Sequence, residues 1–414
     1  MSGIKSRRAG GCLGTFLIAC IILLGIAIAA LAVKDKGKIF KEIINNAEVT
    51  ALPIPFQEIT IEEESLENKY YYSQLEEDQK AVYKEILQGI QDFEEEIYIH
   101  TEDGNASNQI FRYILYDMPE LFWCNGTAKT TTYKPDGQEE YSIINITYTH
   151  DSETVTELKA QIEAEVNQCL TGVPADSTDY EKIKYVYEYI VDTVEYDMSA
   201  EDNQNICSVF IGKSSVCAGY ARATQHLLES MGIFCTYVPG TASGGNYSSP
   251  VDHAWNLVMC DGEYYYVDAT WGDPVFAQTE EASAFAEMET INFDYLCCND
   301  DSIFKTHTLA EGIVMPVCTS NEYDYYVMNG MYYTENNSES YLKAMNNAIS
   351  AKESSVVFKF SDNELYHEAK DQILGELAES SAQYLMTLYN LETVNYYYQE
   401  EELLNKLVIY WVYE

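Results

Sequence analysis

Three residues of this chain, a cysteine, a histidine and an aspartate in that order, have the types and spacing for nucleophilic catalysis. Cys217 stands in SSVCAGYARA (214–223), where Ser214 or Ser215 can cap a helix that runs to about Met231 and stops at Gly232. The cysteine then falls in or beside the first helical turn, where unpaired N–H groups and the helix dipole favour an anion. A thiol so placed ionises more readily than at its free pKa of about 8.5, and the thiolate is the nucleophile. Ala218, Gly219 and Ala221 leave room for a substrate or a neighbouring strand, and the amide of Cys217 itself could donate to an oxyanion. Taken alone, Cys217 reads as a small core residue; its partners change that.

The partners lie in HAWNLVMCDGEYYYVDATW (253–271). Asp261-Gly262 is a strong signal for a two-residue hairpin turn, because both central positions need positive φ. That turn sets Cys260 opposite Glu263, Trp255 opposite Asp268 and His253 opposite Thr270. His253, Trp255, Leu257, Tyr264, Tyr266 and Asp268 then share one face. His253 and Asp268 become diagonal neighbours with backbones roughly 7–8 Å apart, a gap that side chains bridge. A three-residue turn would move Asp268 to the other face. A nucleophile, a base and an orienting acid result. His226 is excluded as the base, since nine residues along the same helix puts it about 13 Å from Cys217.

SSVCAGYARA, DHAWNLV (252–258) and YYYVDATWGDP (264–274) closely resemble the three motifs of the transglutaminase-like core, a papain-like fold. The resemblance covers about Asp176 to His307, roughly a third of the chain. It implies that Cys217 attacks an amide carbonyl, His253 protonates the departing amine and Asp268 holds the imidazole. An amine resolves the thioester as cross-linking, and water resolves it as deamidation or proteolysis. Trp255, Asn256 and Trp271 match motif positions as shaping residues, with Trp255 and Trp271 taken as substrate-binding. Animal members of the family need calcium, but no calcium-loop pattern is present, so neither a metal nor another cofactor is expected.

The elements that must hold these residues follow from periodicity. A capping-box helix opens with Thr178 and Glu181 and carries one apolar stripe through Ile183, Val186, Tyr187, Ile190, Val191 and Val194. After the cysteine helix, IFCTYV reads as a strand and Gly240 to Pro250 as a loop. Upstream, helices are expected over Ser73 to Phe93 and Thr154 to Leu170, with the short strands LFWC and YSIINITYTH between them. Beyond Asn321 come tyrosine-rich strands, a helix near Tyr341 to Ala351, the strand SVVFKF, a helix near Asn363 to Leu377 and a final strand LVIYWVY. The expected class is α+β: a core at 173–315, flanked by an α+β domain at 65–172 and a C-terminal α/β domain at 321–414, with a transmembrane helix at the N-terminus.

That helix is expected at 9–33, after a cytoplasmic tail at 1–8 and before a linker at 34–64. Ala9 to Val33 lacks any charge and exceeds the ~20 residues that a span needs. Lys5, Arg7 and Arg8 at the extreme N-terminus point inward, which leaves the bulk of the chain outside the cytoplasm. A cleaved signal peptide ending near Ala30-Leu31-Ala32, or a lipobox at Cys20, stays open as an alternative mode of export. The whole chain has 24 Lys+Arg against 67 Asp+Glu, a net charge of −43, which argues against nucleic acid. Such a surface favours cationic peptides or amines. The 11 cysteines form no regular framework, and Cys207, Cys235 and Cys260 read as core. Two functions follow as expectations. One is an extracellular thiol enzyme acting on protein or peptide amides, with an amine as possible acceptor. The other is a non-catalytic surface binding protein that keeps the core fold.

Overall fold

The computed structural model describes residues 54–135, 140–244, 247–273 and 291–413. The expected anchor at 9–33 and the tail before it lie outside the described residues, and among those described no helix is long and apolar enough to cross a membrane. Phe56–Glu414 forms one compact unit.

The chain enters through two helices, Tyr70–Ser73 and Glu77–Gln91, where one was expected over Ser73 to Phe93. Glu76 and Gln79 form a capping box that restarts the helix. It ends at Gln91 because Phe93 turns left-handed, with φ 59°. Stacking on Trp123, ring centres 5.6 Å apart, holds this bulky residue in a region it otherwise avoids. Strands β1 (Glu96–Ile99), β2 (Cys124–Tyr133) and β3 (Tyr141–Tyr148) make an antiparallel sheet of order β1-β3-β2. The helix Ser152–Thr171 follows, and then Asp179–Thr193, whose Thr178–Glu181 capping box is present as expected. One hydrophobic cluster runs from Leu66 to Cys297 across all these elements.

Two residue pairs, β4 (Glu195–Tyr196) and β5 (Ser214–Ser215), pair in parallel just before the helix Cys217–Ser230. The second sheet has the order β8-β7-β6-β9, from β6 (Cys235–Gly244), β7 (Tyr247–Cys260), β8 (Glu263–Val267) and β9 (His307–Leu309). Where composition led to a loop over 240–250, residues 240–244 belong to β6 and 247–250 to β7. Gly240 is there for close packing, since a Cβ on it would run into the Thr308 carbonyl and the Trp255 ring.

The C-terminal region has its own hydrophobic cluster, from Tyr341 to Trp411. Its sheet is β10 (Tyr332–Tyr333), β11 (Ser355–Phe360), β13 (Lys406–Trp411) and β12 (Tyr396–Glu401), in that spatial order. The helices Ser338–Ala351 and Asn363–Gln372 and the strands β11 and β13 lie where the sequence placed them. The helix Ala378–Tyr389 and strand β12 went unread. Strand β12 is three tyrosines, a glutamine and two glutamates, none of them buried, so it carries little apolar alternation to read.

Candidate active site

Cys217 is the first residue of its helix and is half-buried. Neither serine caps that helix: the N-cap is Val216, extended and without a side-chain hydrogen bond. The Ser215 hydroxyl is occupied elsewhere, 2.6 Å from Ser208 Oγ and donating to Asn203 O at 3.0 Å. This pair also explains Gly219, where a Cβ would collide with Ser215 Oγ. The space that looked free for a substrate is thus filled by the hydroxyl pair that pins the chain into the cysteine. With no side chain over the helix end, its first-turn N–H groups and dipole act on the sulfur.

The β7–β8 hairpin turns at Asp261 (φ 48°) and Gly262 (φ 87°), both left-handed as a type I′ turn needs. Its register is the one read from the sequence: Cys260 faces Glu263, Leu257 faces Tyr266 and Asn256 faces Val267. Strand β8 ends at Val267, so Asp268 stands one step beyond it as the N-cap of a short helix, Ala269–Gly272. Its Oδ1 accepts from Thr270 N at 2.9 Å and Trp271 N at 3.3 Å. Its Oδ2 accepts from His253 Nε2 at 2.7 Å. The Cys217 sulfur adjoins the His253 ring and favours its positive charge. Because Nε2 is taken by Asp268, Nδ1 is the ring nitrogen left to serve the sulfur. Asn256 sets the spacing between helix and sheet by donating from Nδ2 to Ala221 O, 2.9 Å away in the cysteine helix.

Burial works against a positive charge on His253. The Asp268 carboxylate, the hydrogen bond to it and the Cys217 sulfur outweigh that penalty and push the ring up to about 10. Burial also works against ionising Asp268, yet the two imidazoles beside it hold the carboxyl below the usual range. The second imidazole is His307, which sequence reasoning missed. It begins β9, opposite Ala242 of β6, and its Nε2 lies 3.0 Å from Asp268 Oδ2. A lone histidine far along the chain, in a short strand without a motif, gave no signal.

Trp255 and Trp271 are buried and pack on the imidazoles. Trp255 lies 6.1 Å from the His253 ring and 4.9 Å from His307, and Trp271 lies 6.0 Å and 4.9 Å from the same two. A cavity of about 360 Å³ opens beside the start of the cysteine helix, lined by Asn203, Gln204, Arg222 and Tyr237 among others. Among the described residues, His253, Asp268 and His307 are the group whose donor atoms come close enough for a metal, all within 4.8 Å of one another. The 2.7 and 3.0 Å separations between Oδ2 and the two Nε2 atoms are hydrogen-bond lengths. Ligands of a tetrahedral zinc with bonds near 2.0–2.1 Å sit about 3.3 Å apart, so this trio is built around protons.

A cysteine at a bare helix end, an imidazole beside it that is bonded to a carboxylate, and a sheet packed on that helix meet in one site. Residues 167–269 match the transglutaminase-like superfamily. The chain carries a transglutaminase-like domain. Over 141 residues it is 32% identical to human kyphoscoliosis peptidase, a match that covers 31% of this chain and 20% of the relative. The chain thus spans about a fifth of that curated relative's length. Among solved structures it is similar to a TGase at 15% identity, with 42% of this chain and 50% of that one covered and a TM-score of 0.25. It is similar as well to the periplasmic domain of TgpA from Pseudomonas aeruginosa at 15% identity, with 39% and 66% covered and a TM-score of 0.23. Among the described residues of the transglutaminase-like domain and its flanks, no cysteine is paired in a disulfide.

Proposed function

We propose that the transglutaminase-like domain transfers or hydrolyses acyl groups of protein or peptide amides, with Cys217 as nucleophile, His253 as acid and base and Asp268 as the orienting acid. The observation that carries this is the position of His253, bonded through Nε2 to Asp268 at 2.7 Å and with the Cys217 sulfur beside its ring. In the first step the sulfur adds to the amide carbonyl carbon. The C–N bond then breaks as His253 gives its proton to the leaving amine, and a thioester remains. Acylation takes the Cys217 sulfur, one of the supports of the ring's charge, into the thioester, so His253 yields its proton more easily at the moment it is needed. The neutral ring next takes a proton from water or from an acceptor amine, which attacks the thioester and frees the thiolate. The Cys217 amide is placed to donate to the oxyanion, and Trp255 and Trp271 shape the imidazole environment.

The same reading holds the domain outside the cytoplasm through the uncharged run at 9–33. Protease added to whole cells should remove the bulk of the chain. For the chemistry, full-length protein incubated with a glutamine-containing protein and a fluorescent amine separates the outcomes: incorporated amine means transfer, and fragments mean hydrolysis. Cys217→Ala should abolish both. Activity that survives in that variant, or iodoacetamide labelling spread evenly over the cysteines, sinks the proposal in favour of a binding protein.

A further inference from the structure

One carboxylate oxygen in this site serves two imidazoles, and the acyl-transfer chemistry uses only one of them. His307 is fully buried, with Nε2 3.0 Å from Asp268 Oδ2 and Nδ1 2.8 Å from Thr306 Oγ1. An ionised carboxylate only accepts, so the Nε2 atoms of His253 and His307 both carry hydrogen. The Thr306 hydroxyl, 2.8 Å from Nδ1 and 3.4 Å from both Ile303 O and Tyr295 Oη, donates to the ring wherever Nδ1 carries no proton. A neutral His307 with its single proton on Nε2 satisfies both the carboxylate and the hydroxyl. A positive charge there would be opposed by burial and would face the His253 ring, whose centre is 5.3 Å away. Trp255, Trp271 and Tyr295 pack around His307 with ring centres at 4.9, 4.9 and 5.4 Å, which leaves it no room to turn.

We propose that His307 is a positioning residue for the Cys217–His253 pair: its Nε2–H shares the Asp268 carboxylate, fixes the oxygen that faces His253, and limits how tightly His253 holds the proton it must release. This role rests on the acyl-transfer reading given above. The physical basis is that a carboxylate already bonded to one donor is a weaker acceptor for the next. Without the His307 donor, all of the Oδ2 charge acts on His253, whose proton is then harder to remove. The other titratable groups around the pair are Cys217, on the helix facing His253, and Tyr187, Tyr295 and Cys298 around Asp268. Burial pushes these last three far up and keeps them protonated.

Nitrogen-15 spectra of the histidine side chains in the full-length protein test the proposal. At neutral pH, His307 should carry one proton, on Nε2, and His253 should carry two. His307→Phe should raise the pH at which His253 titrates by about one pH unit, a tenfold change in proton binding. The alkaline limb of kcat/KM should move with it. His307→Gln keeps a neutral N–H donor and should restore most of the wild-type titration, which a purely structural role does not predict. Where Phe prevents folding, Thr306→Val serves: it removes the hydroxyl that selects the tautomer, and His253 should shift in the same direction by less. A doubly protonated His307 at neutral pH, or an unmoved His253 titration in folded His307→Phe or Thr306→Val protein, overturns the proposal. Wild-type protein that acts on no amide overturns the acyl-transfer reading instead, while the histidine titrations still decide what His307 does to His253.

Discussion

Two buried aspartates of this protein each sit between two nitrogen bases, and they do different work. Asp268 offers one oxygen, Oδ2, to His253 and His307, and spends the other on the N–H groups of a helix end. Asp294 gives one oxygen to each partner: Oδ1 to Lys359 Nζ of β11 at 2.6 Å, and Oδ2 to Lys406 Nζ of β13. Tyr326 lies under both ammonium groups, 5.3 and 5.9 Å from its ring centre. An ammonium group only donates, so the second cluster fastens the C-terminal sheet to the segment that leads into Tyr295. Imidazole can pass its proton on, and a thiol waits at one end of the first cluster. The partner's chemistry, more than the buried carboxylate, separates a reactive centre from a clamp. The two meet in sequence, since Tyr295 O accepts the Asp268 backbone N–H at 2.9 Å.

The comparison breaks hardest at Asp268. Asp268→Asn replaces an acceptor by an amide that can donate, so His253 loses both its tautomer and the charge that supports its proton. Turnover should fall roughly 10³–10⁴-fold, as the loss of an orienting carboxylate does elsewhere. Single-turnover acylation at neutral pH measures it, and a loss under tenfold would remove Asp268 from the mechanism. Asp294→Ala tests the clamp. It strands the buried Lys359, leaves Lys406 with Glu401 alone, 3.0 Å away, and should cost about 3–5 kcal/mol of unfolding free energy in urea titrations. Protein that stays folded should keep turnover within about tenfold of wild type, because no bond of the reactive cluster is touched.

Much of the reactive cluster was legible in sequence, because its parts obey local rules. Asp261-Gly262 permits one turn, that turn permits one register, and the register carries His253 to within reach of Asp268. Thr178 and Glu181 announce a helix by the same kind of short-range bonding. The Ser214–Ser215 cap failed for the opposite reason: a tertiary contact with Ser208 and Asn203 claimed the hydroxyl that local rules assigned to the helix. His307, Thr306 and the Asp294 clamp depend on strands brought together from distant parts of the chain, β9 onto β6 and β11 onto β13. Nothing in a single sequence fixes such pairings. Gly240 misled as a loop signal because its purpose, room for Trp255 and Thr308, is visible only once β9 is in place.

The two clusters should also part company with pH. His253 is raised from its ordinary 6.5 to about 10, so the stability it adds is fully present below about 6.5 and is lost as pH rises through about 10. Asp294 is lowered from 3.8 to about 2, since Lys359 and Lys406 outweigh burial, so its share is present above about 3.8 and fades as pH falls toward 2. Asp268 is also lowered and fades on the acid side. Urea unfolding across pH 2 to 10 should therefore show stability falling on both sides, and His253→Gln should flatten the alkaline fall. An unchanged alkaline limb in His253→Gln would mean that the ring is not held charged by its neighbours. Asp294→Ala should leave the alkaline limb as it is and flatten only the acid one.

The smallest expected effect concerns what keeps the two halves of the reactive cluster at their distance. Cys217 rides on a helix and His253 on β7, and the side chain that ties these elements is Asn256, whose Nδ2 donates to Ala221 O at 2.9 Å and, at 3.4 Å, to Thr236 O. Ala221 lies one turn beyond Cys217, so the bond acts almost at the sulfur. Asn256→Ala leaves those buried carbonyls short of a donor and should cost about 1–3 kcal/mol of stability. Turnover should fall about tenfold, because a nucleophile and base that drift by a fraction of an ångström lose alignment. The loss should appear in kcat rather than KM, since Asn256 is buried and meets no substrate. Asn256→Asp keeps the shape but lacks the donor and should do no better than alanine. A variant whose kcat is intact while its stability falls would show that the Cys217–His253 distance is held by the packing of helix on sheet, and not by this one bond.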